Sequence, residues 1–176
     1  MERIGIVFGC FIPLHNGHKR LIEDAFREND KVIIAVCGYD DDRGKDFIPF
    51  SDRYKLMCEK YEDDRISVVK VDDHKIGLTG LFDEESWVKW SGELFNEYFR
   101  KYGFFKNKAQ ITWYTGELSY VTKLSEIFKN DNFKYYGRHM IDISGTKIRH
   151  DYDFYKHMVD DDFRRYLEEN ERISTF

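Results

Sequence analysis

The sequence predicts an α/β architecture, a doubly wound parallel sheet of five strands with helices on both faces. Three observations predict it. Short, nearly all-apolar runs such as Ile4–Phe8 and Val32–Val36 read as strands covered on both sides. Between such runs the apolar residues recur at helical spacing. No internal repeat, low-complexity tract or linker interrupts the 176 residues, so one domain is expected.

The elements follow in order. Ile4–Phe8 is the first strand, and from Gly17 onward Leu21, Ile22, Ala25 and Phe26 mark a helix. Val32–Val36 is the second strand. Ser51–Tyr61 reads as a helix with Ser51 as N-cap and Tyr54, Leu56, Met57 and Tyr61 as its apolar positions. Ile66–Val71 is the third strand, followed by a loop carrying Gly77 and Gly80. A long amphipathic helix, Glu84–Tyr102, carries Trp87, Trp90, Leu94, Phe95 and Phe99. Gln110–Thr115 is the fourth strand, Glu117–Phe128 a helix and Phe133–Tyr136 a short fifth strand. Ser144–His150 is a short helix, and Phe154–Glu169 a continuous terminal one. Strand–helix alternation of this kind gives a Rossmann-like sheet, whose ligands lie at the carboxyl ends of the strands near the switch point. The Gly9–His18 turn falls there.

Composition narrows the function. Charged residues make up 35% and hydrophobic residues 41%, a globular balance, and the formal charge of −5 disfavours a general nucleic-acid or acidic-membrane surface. Cys10, Cys37 and Cys58 share no CxxC spacing, and Cys37 and Cys58 read as buried free thiols in a reducing compartment. Glu2 and Arg3 lead straight into a strand, so no signal peptide is expected. No apolar stretch approaches the roughly 20 residues that span a bilayer, and a cytoplasmic protein is expected.

Residues 5–18 read GIVFGCFIPLHNGH. Two histidines at the start of a helix are compatible with surface polarity, with zinc or with an anion. Zinc needs further ligands, and neither HExxH nor paired cysteines occur, so no metal site is expected. A helix N-terminus favours an anion through its unpaired N–H groups and dipole, and Gly17 leaves room for a phosphate to approach. His15 and His18, three apart, can both face it and donate hydrogen bonds. Such a site steadies the charge that builds up during phosphoryl transfer.

The second segment is Ile143-Ser144-Gly145-Thr146-Lys147-Ile148-Arg149. Ser144 suits an N-cap, Thr146 and Arg149 share a face, and Ile148 can turn to the core. A hydroxyl, a glycine and an arginine in that order can grip the far phosphates of a nucleoside triphosphate. Alone it could equally be an ordinary capped helix with a solvent-facing arginine. Together with HNGH it reads as half of a triphosphate clamp.

These segments resemble the HxGH and ISxTxxR motifs of the nucleotidylyltransferase superfamily. Within it the chain is most similar to nicotinamide mononucleotide (NMN) adenylyltransferases, as in the adenylyltransferase domain of bacterial NAD-repressor (NadR-type) proteins. CGYDDDRG, PFSDRYKLM, SWVKWSGELF and YTGELSY carry the likeness further, over about residues 4–167. The resemblance implies attack of the NMN phosphate on the α-phosphorus of ATP, giving NAD and pyrophosphate, with Mg²⁺ held mainly by the ATP phosphates. It implies that His15 and His18 contact the ATP phosphates, His18 in the transition state. Ser144, Thr146 and Arg149 would hold the β/γ-phosphates, and Gly9 and Phe11 would shape the floor. Gly116 and Glu117 would lie by the ATP ribose or NMN. Trp87 and Trp90 suit a flat cationic nicotinamide, one lining the pocket and the other packing. Tyr39, Asp40 and Arg43 would bind the NMN side, with Asp41 and Asp42 facing solvent.

The chain departs from the pattern at Cys10, where many relatives carry Lys or Arg. Lys45, Arg43 or Lys147 could supply the charge instead. The bifunctional relatives continue into a kinase domain with a GxxxxGK[ST] loop, which these residues lack, as they lack a helix-turn-helix extension. The expectation is therefore a single nucleotidylyltransferase domain over 1–176 that binds small nucleotides and no nucleic acid. The family's habit of self-association adds a homo-oligomer to the expected partners. Two other readings stand beside NMN adenylylation. One is the same chemistry on nicotinate mononucleotide, phosphopantetheine or FMN. The other is a non-catalytic nucleotide sensor, which retention of both histidines, Thr146 and Arg149 disfavours.

Overall fold

A computed structural model describes residues 1–74, 83–103, 108–137 and 142–172, and these hold five strands. The strands are β1 (Glu2–Gly9), β2 (Lys31–Gly38), β3 (Ile66–Asp72), β4 (Ala109–Thr115) and β5 (Asn132–Tyr135). All pair in parallel, in the order β3-β2-β1-β4-β5. The chain winds outward from β1 to β3 and then returns past β1 to lay down β4 and β5. The switch point therefore opens at the carboxyl end of β1.

Alternation along β1 separates two cores. Ile4 and Ile6 face one side with Ile33, Ala35, Val69 and Trp113, while Val7 faces the other with Ile34, Val36 and Tyr114. Helix α1 (Asn16–Glu28) covers the Val7 face through Leu21, Ile22 and Ala25, together with α2 (Phe50–Lys60), α5 (Gly145–His150) and α7 (Asp161–Glu169). Helices α3 (Glu84–Tyr102) and α4 (Leu118–Ile127) cover the Ile6 face through Trp87, Trp90, Leu94 and Leu124. Helices on both faces follow from strands that are apolar on both faces.

Three local expectations change. Helix α2 begins one residue earlier, with Pro49 rather than Ser51 as N-cap; Ser51 is exposed, and the buried positions are Phe50, Arg53 and Met57. The long terminal helix is broken into α6 (Tyr152–Tyr155), a 3₁₀ turn (Lys156–Met158) and α7. The break has a cause: Val159 forms an antiparallel bridge with His15, and Asp160 donates its N–H to the Leu14 carbonyl (3.0 Å) while capping α7. Cys58 is only half-buried, and all three thiols are free. The glycines Gly77 and Gly80 lie outside the described residues. Among the described residues no helix is long and apolar enough to cross a membrane.

Candidate functional site

A cavity of about 400 Å³ opens above the carboxyl ends of the strands. Its centre lies over β1, where His15, Gly17 and His18 meet Ser144, Gly145, Thr146 and Arg149. Gly9, Cys10, Phe11, Arg43, Trp87, Trp90, Gly116 and Glu117 also line it. Tyr39 and Asp40 do not. Tyr39 lies beside His74 (ring centroids 5.4 Å apart), and Asp40 is exposed.

The HNGH turn is built differently from a bare helix N-terminus. His15 is the N-cap of α1, and its Nδ1 accepts from the N–H groups of Gly17 (3.1 Å) and His18 (3.4 Å). His18 returns the contact, its Nδ1 accepting from the His15 N–H at 3.4 Å. The two rings stack with centroids 3.8 Å apart. The N–H groups expected to face an anion are thus turned to imidazole. An accepting Nδ1 carries no proton, so each neutral ring holds its hydrogen on Nε2, as a donor. His18 Nε2 lies 3.7 Å from the place a side chain on Gly9 would fill, on the cavity side of the turn. The Val159 bridge and Asp160, which also meets Lys19 (3.3 Å) and Lys60 (2.6 Å), pin this turn from outside.

The opposing segment works by close approach. Ser144 caps α5 by accepting from the Lys147 N–H (3.2 Å), and Ile148 is buried beneath it. A side chain on Gly145 would sit 2.6 Å from the Ile12 carbonyl, so only glycine lets α5 meet the floor loop. Arg149 donates to that same carbonyl (2.7 Å) and to Thr146 Oγ1 (3.3 Å), which aims a fixed guanidinium at the cavity. Burial, and then the nearby Arg43, push its pKa down.

The loop after β2 corrects the expectation for Asp42. Only Asp41 faces solvent; Asp42 is buried, accepts from the N–H groups of Tyr39 (3.2 Å) and Gly44 (2.9 Å), and pairs with both Nη atoms of Arg53. Arg53 is 0% exposed and also donates to the Ile48 carbonyl at 2.8 Å. Gly38 has φ +149°, and a side chain there would run into this pair, which is why glycine ends β2. The folded loop turns Arg43 over the cavity beside Cys10. Of the three cations expected to compensate for Cys10, only the exposed Arg43 lines the cavity; Lys45 does not, and Lys147 pairs with Asp142 at 2.7 Å. Burial pushes the Cys10 thiol up, and Arg43 opposes that rise.

Two further features escape sequence reasoning. Asp73, just past β3, lines the cavity with one buried carboxylate oxygen that has no hydrogen-bond partner. Burial, and then the charges of Asp72 and Asp42, raise its pKa from the ordinary 3.8 to about 7. A polar edge formed by Arg20 and Tyr136 also borders the cavity. Both residues reached it through helix phase and strand exit, which no local motif announces. The tryptophans do not divide into one liner and one packer. Trp87 (2% exposed) and Trp90 (3%) both line the cavity and both belong to the core, edge-on to Phe8 and to each other. Among the described residues no group of three or more His, Cys, Asp or Glu side chains is placed to hold a metal ion.

Comparison with known proteins bears on the family and the fold. The cytidylyltransferase-like family model matches residues 6–175. The trifunctional NAD biosynthesis/regulator protein NadR of Salmonella typhimurium is 48% identical over 44 residues, 25% of this chain and 10% of that protein. A phosphopantetheine adenylyltransferase of Methanopyrus kandleri is 33% identical over 112 residues, 56% of this chain and 71% of that one. A crystal structure of NadR protein in complex with NR has a TM-score of 0.75 at 30% identity, covering 94% of this chain and 45% of that chain. Another, with NAD and AMP-PNP, gives 0.74 at 29% identity over 95% and 47%. The chain thus spans about a tenth of the Salmonella relative and under half of the NadR chains in those structures. With a family model over nearly its whole length and a shared fold, the chain belongs to the cytidylyltransferase-like family, within the nucleotidylyltransferase superfamily and close to its NadR-type members.

Proposed function

We propose that this chain is an NMN adenylyltransferase, which transfers AMP from ATP to the 5′-phosphate of NMN and gives NAD and pyrophosphate. The observation that carries the reading is the stacked His15–His18 pair facing Arg149 and the Ser144-capped turn across one cavity, with Trp87 and Trp90 on its α3 side. In this reading an NMN phosphate oxygen attacks the α-phosphorus in line. The bond from that phosphorus to the bridging oxygen breaks, and pyrophosphate leaves with the electron pair. Charge accumulates on the α-phosphoryl oxygens, where the Nε2–H of His18 donates; Arg149, Thr146 and Ser144 hold the departing phosphates. His15 keeps the N-terminus of α1 closed and the His18 ring in its donor tautomer. Gly9, Gly17 and Phe11 form the floor, and Gly116 and Glu117 the ribose side. Mg²⁺ would enter as part of the substrate, on the ATP phosphates.

The acceptor follows from the aromatic flank. A cationic nicotinamide suits Trp87, Trp90 and Phe8 with the Asp73 carboxyl alongside. Arg43, beside Cys10, supplies positive charge on the acceptor's side of the centre. A second reading, phosphopantetheine as acceptor, is favoured by the 33% identity to a phosphopantetheine adenylyltransferase. The test is pyrophosphate release from ATP and Mg²⁺ with NMN, nicotinate mononucleotide, phosphopantetheine or FMN. Release with NMN is expected. Release with phosphopantetheine alone would move the function to the second reading, and release with none would leave a nucleotide-binding protein without this activity.

A further inference from the structure

The Asp24 carboxylate sits where a packing residue would serve. It lies in the interior of α1, two turns past the histidines, and is only 2% exposed. A carboxylate there is costly on two counts: aspartate is a poor interior helix former, and burial penalises its charge. The structure shows what it holds. Oδ2 accepts from Arg20 Nε (3.1 Å) and from the Tyr136 hydroxyl (2.5 Å), and Oδ1 meets Arg27 at 2.6 Å. Burial opposes the charge, but the hydrogen bonds from Tyr136, Arg20 and Arg27 outweigh it and hold the carboxyl below its ordinary value. Arg27 completes the charge balance. Arg20 and Tyr136 are different, because both line the cavity, together with Leu21, Gly137 and Ile143.

Strand order gives this edge its place. Tyr136 packs with Leu21 and Ile143 on the α1 face of the sheet, whereas Trp87 and Trp90 belong to the core on the α3 face, and the phosphate centre at the end of β1 lies between them. If the acceptor occupies the tryptophan flank, the nucleoside of the triphosphate extends the other way, toward Arg20 and Tyr136. A planar guanidinium and an aromatic ring, locked by one carboxylate and backed by Leu21 and Ile143, form a wall suited to a flat nucleobase. We propose that Asp24 is a positioning residue that holds Arg20 and Tyr136 as the base-binding wall for the nucleoside triphosphate, and so sets the preference for a purine over a pyrimidine. This inference rests on the proposed adenylyltransferase reading.

The experiment compares the wild-type chain with Asp24→Asn and Tyr136→Phe. Thermal melting checks folding, and titrations with ATP and CTP are followed by tryptophan fluorescence alongside steady-state kinetics with ATP and NMN. Loss of a preorganised stacking wall predicts that Asp24→Asn weakens ATP binding and raises its KM about tenfold, with the ATP-over-CTP preference falling in step. Turnover at saturating ATP and the NMN KM should move by less than about twofold, since neither depends on the wall. Tyr136→Phe, which keeps the ring and removes only the hydroxyl, should show the same pattern at about threefold. A purely structural role would shift both substrates together and leave the base preference unchanged, and that result would overturn the proposal, as would unaltered ATP binding in both variants. Wild-type binding of ATP without turnover on NMN would sink the NMN reading while leaving the wall testable by the ATP/CTP titrations. No ATP binding by the wild type would overturn both.

Discussion

The two flanks of the cavity are built by different forces. On the α3 side the wall is aromatic: Phe8, Trp87 and Trp90 meet edge to face and belong to the core behind them. On the α1 side it is a polar frame, in which one buried carboxylate fixes Arg20 and Tyr136. A packed wall ties recognition to stability, because the surfaces that would hold a ligand also hold the sheet. A hydrogen-bonded frame loosens that tie, because Arg20 and Tyr136 are aimed at the cavity by one carboxylate rather than by packing alone. The centre over β1 depends on neither, since the HNGH turn is pinned by Val159 and Asp160.

That contrast can be broken or sharpened. The largest effect belongs to the loop beneath the aromatic flank. Asp42→Ala leaves Arg53 buried without its carboxylate partner and should cost about 3–5 kcal/mol, read as a lower denaturation midpoint. A cost as small as that of a surface ion pair would mean that the loop, and Arg43 with it, is held some other way. Trp90→Ala should cost a similar amount, about 3–5 kcal/mol, and raise the NMN KM in the same variant. A raised KM without lost stability would contradict a wall that is also core.

At the centre, His18→Ala removes a donor that acts on developing charge and should cut turnover by about 10²–10³-fold, while its half of the α1 cap costs only about 0.5–2 kcal/mol of stability. Steady-state kinetics would reassign His18 to one flank if a single substrate's KM rose instead. A pH slope tests the rim of the same cavity. The Asp73 carboxyl has its pKa raised to about 7, so between about 4 and 7 the folded state keeps a proton that the unfolded chain has released. Wild-type stability should therefore fall as pH rises through that window and level off above it. In Asp73→Asn this slope should vanish, leaving the variant progressively more stable than wild type toward pH 7. Parallel curves from denaturant titrations across that range would show that Asp73 does not titrate there.

The legible parts of the site were those written in consecutive residues. HNGH and ISGTKIR each combine a cap, a glycine and a donor within one turn, so local chemistry announces them before any fold is known. Strands β1 and β2 were legible because burial on both faces leaves uninterrupted apolar runs. Asp42 was misread because DDDR looks like a solvated acidic run, and only Arg53, eleven residues on and fully buried, draws its third carboxylate inward. The terminal helix was read as continuous because its apolar spacing is continuous. The break is imposed by the distant His15 and Leu14 backbone.

By itself the sequence determined the alternation of elements, the two motifs at the switch point and the aromatic character of one flank. These follow from periodicity, capping and turn chemistry, which act over a few residues. Tertiary structure alone decided that His15 closes the N-terminus of α1 and so holds His18 in place, that Arg43 stands beside Cys10, and that Asp73 lies partly unsatisfied at the rim. It also decided that Asp24 reaches across to Tyr136, 112 residues away. Each of these depends on strand order and on where distant segments cross, and the physical reason is that burial and hydrogen-bond satisfaction are properties of a site assembled in space.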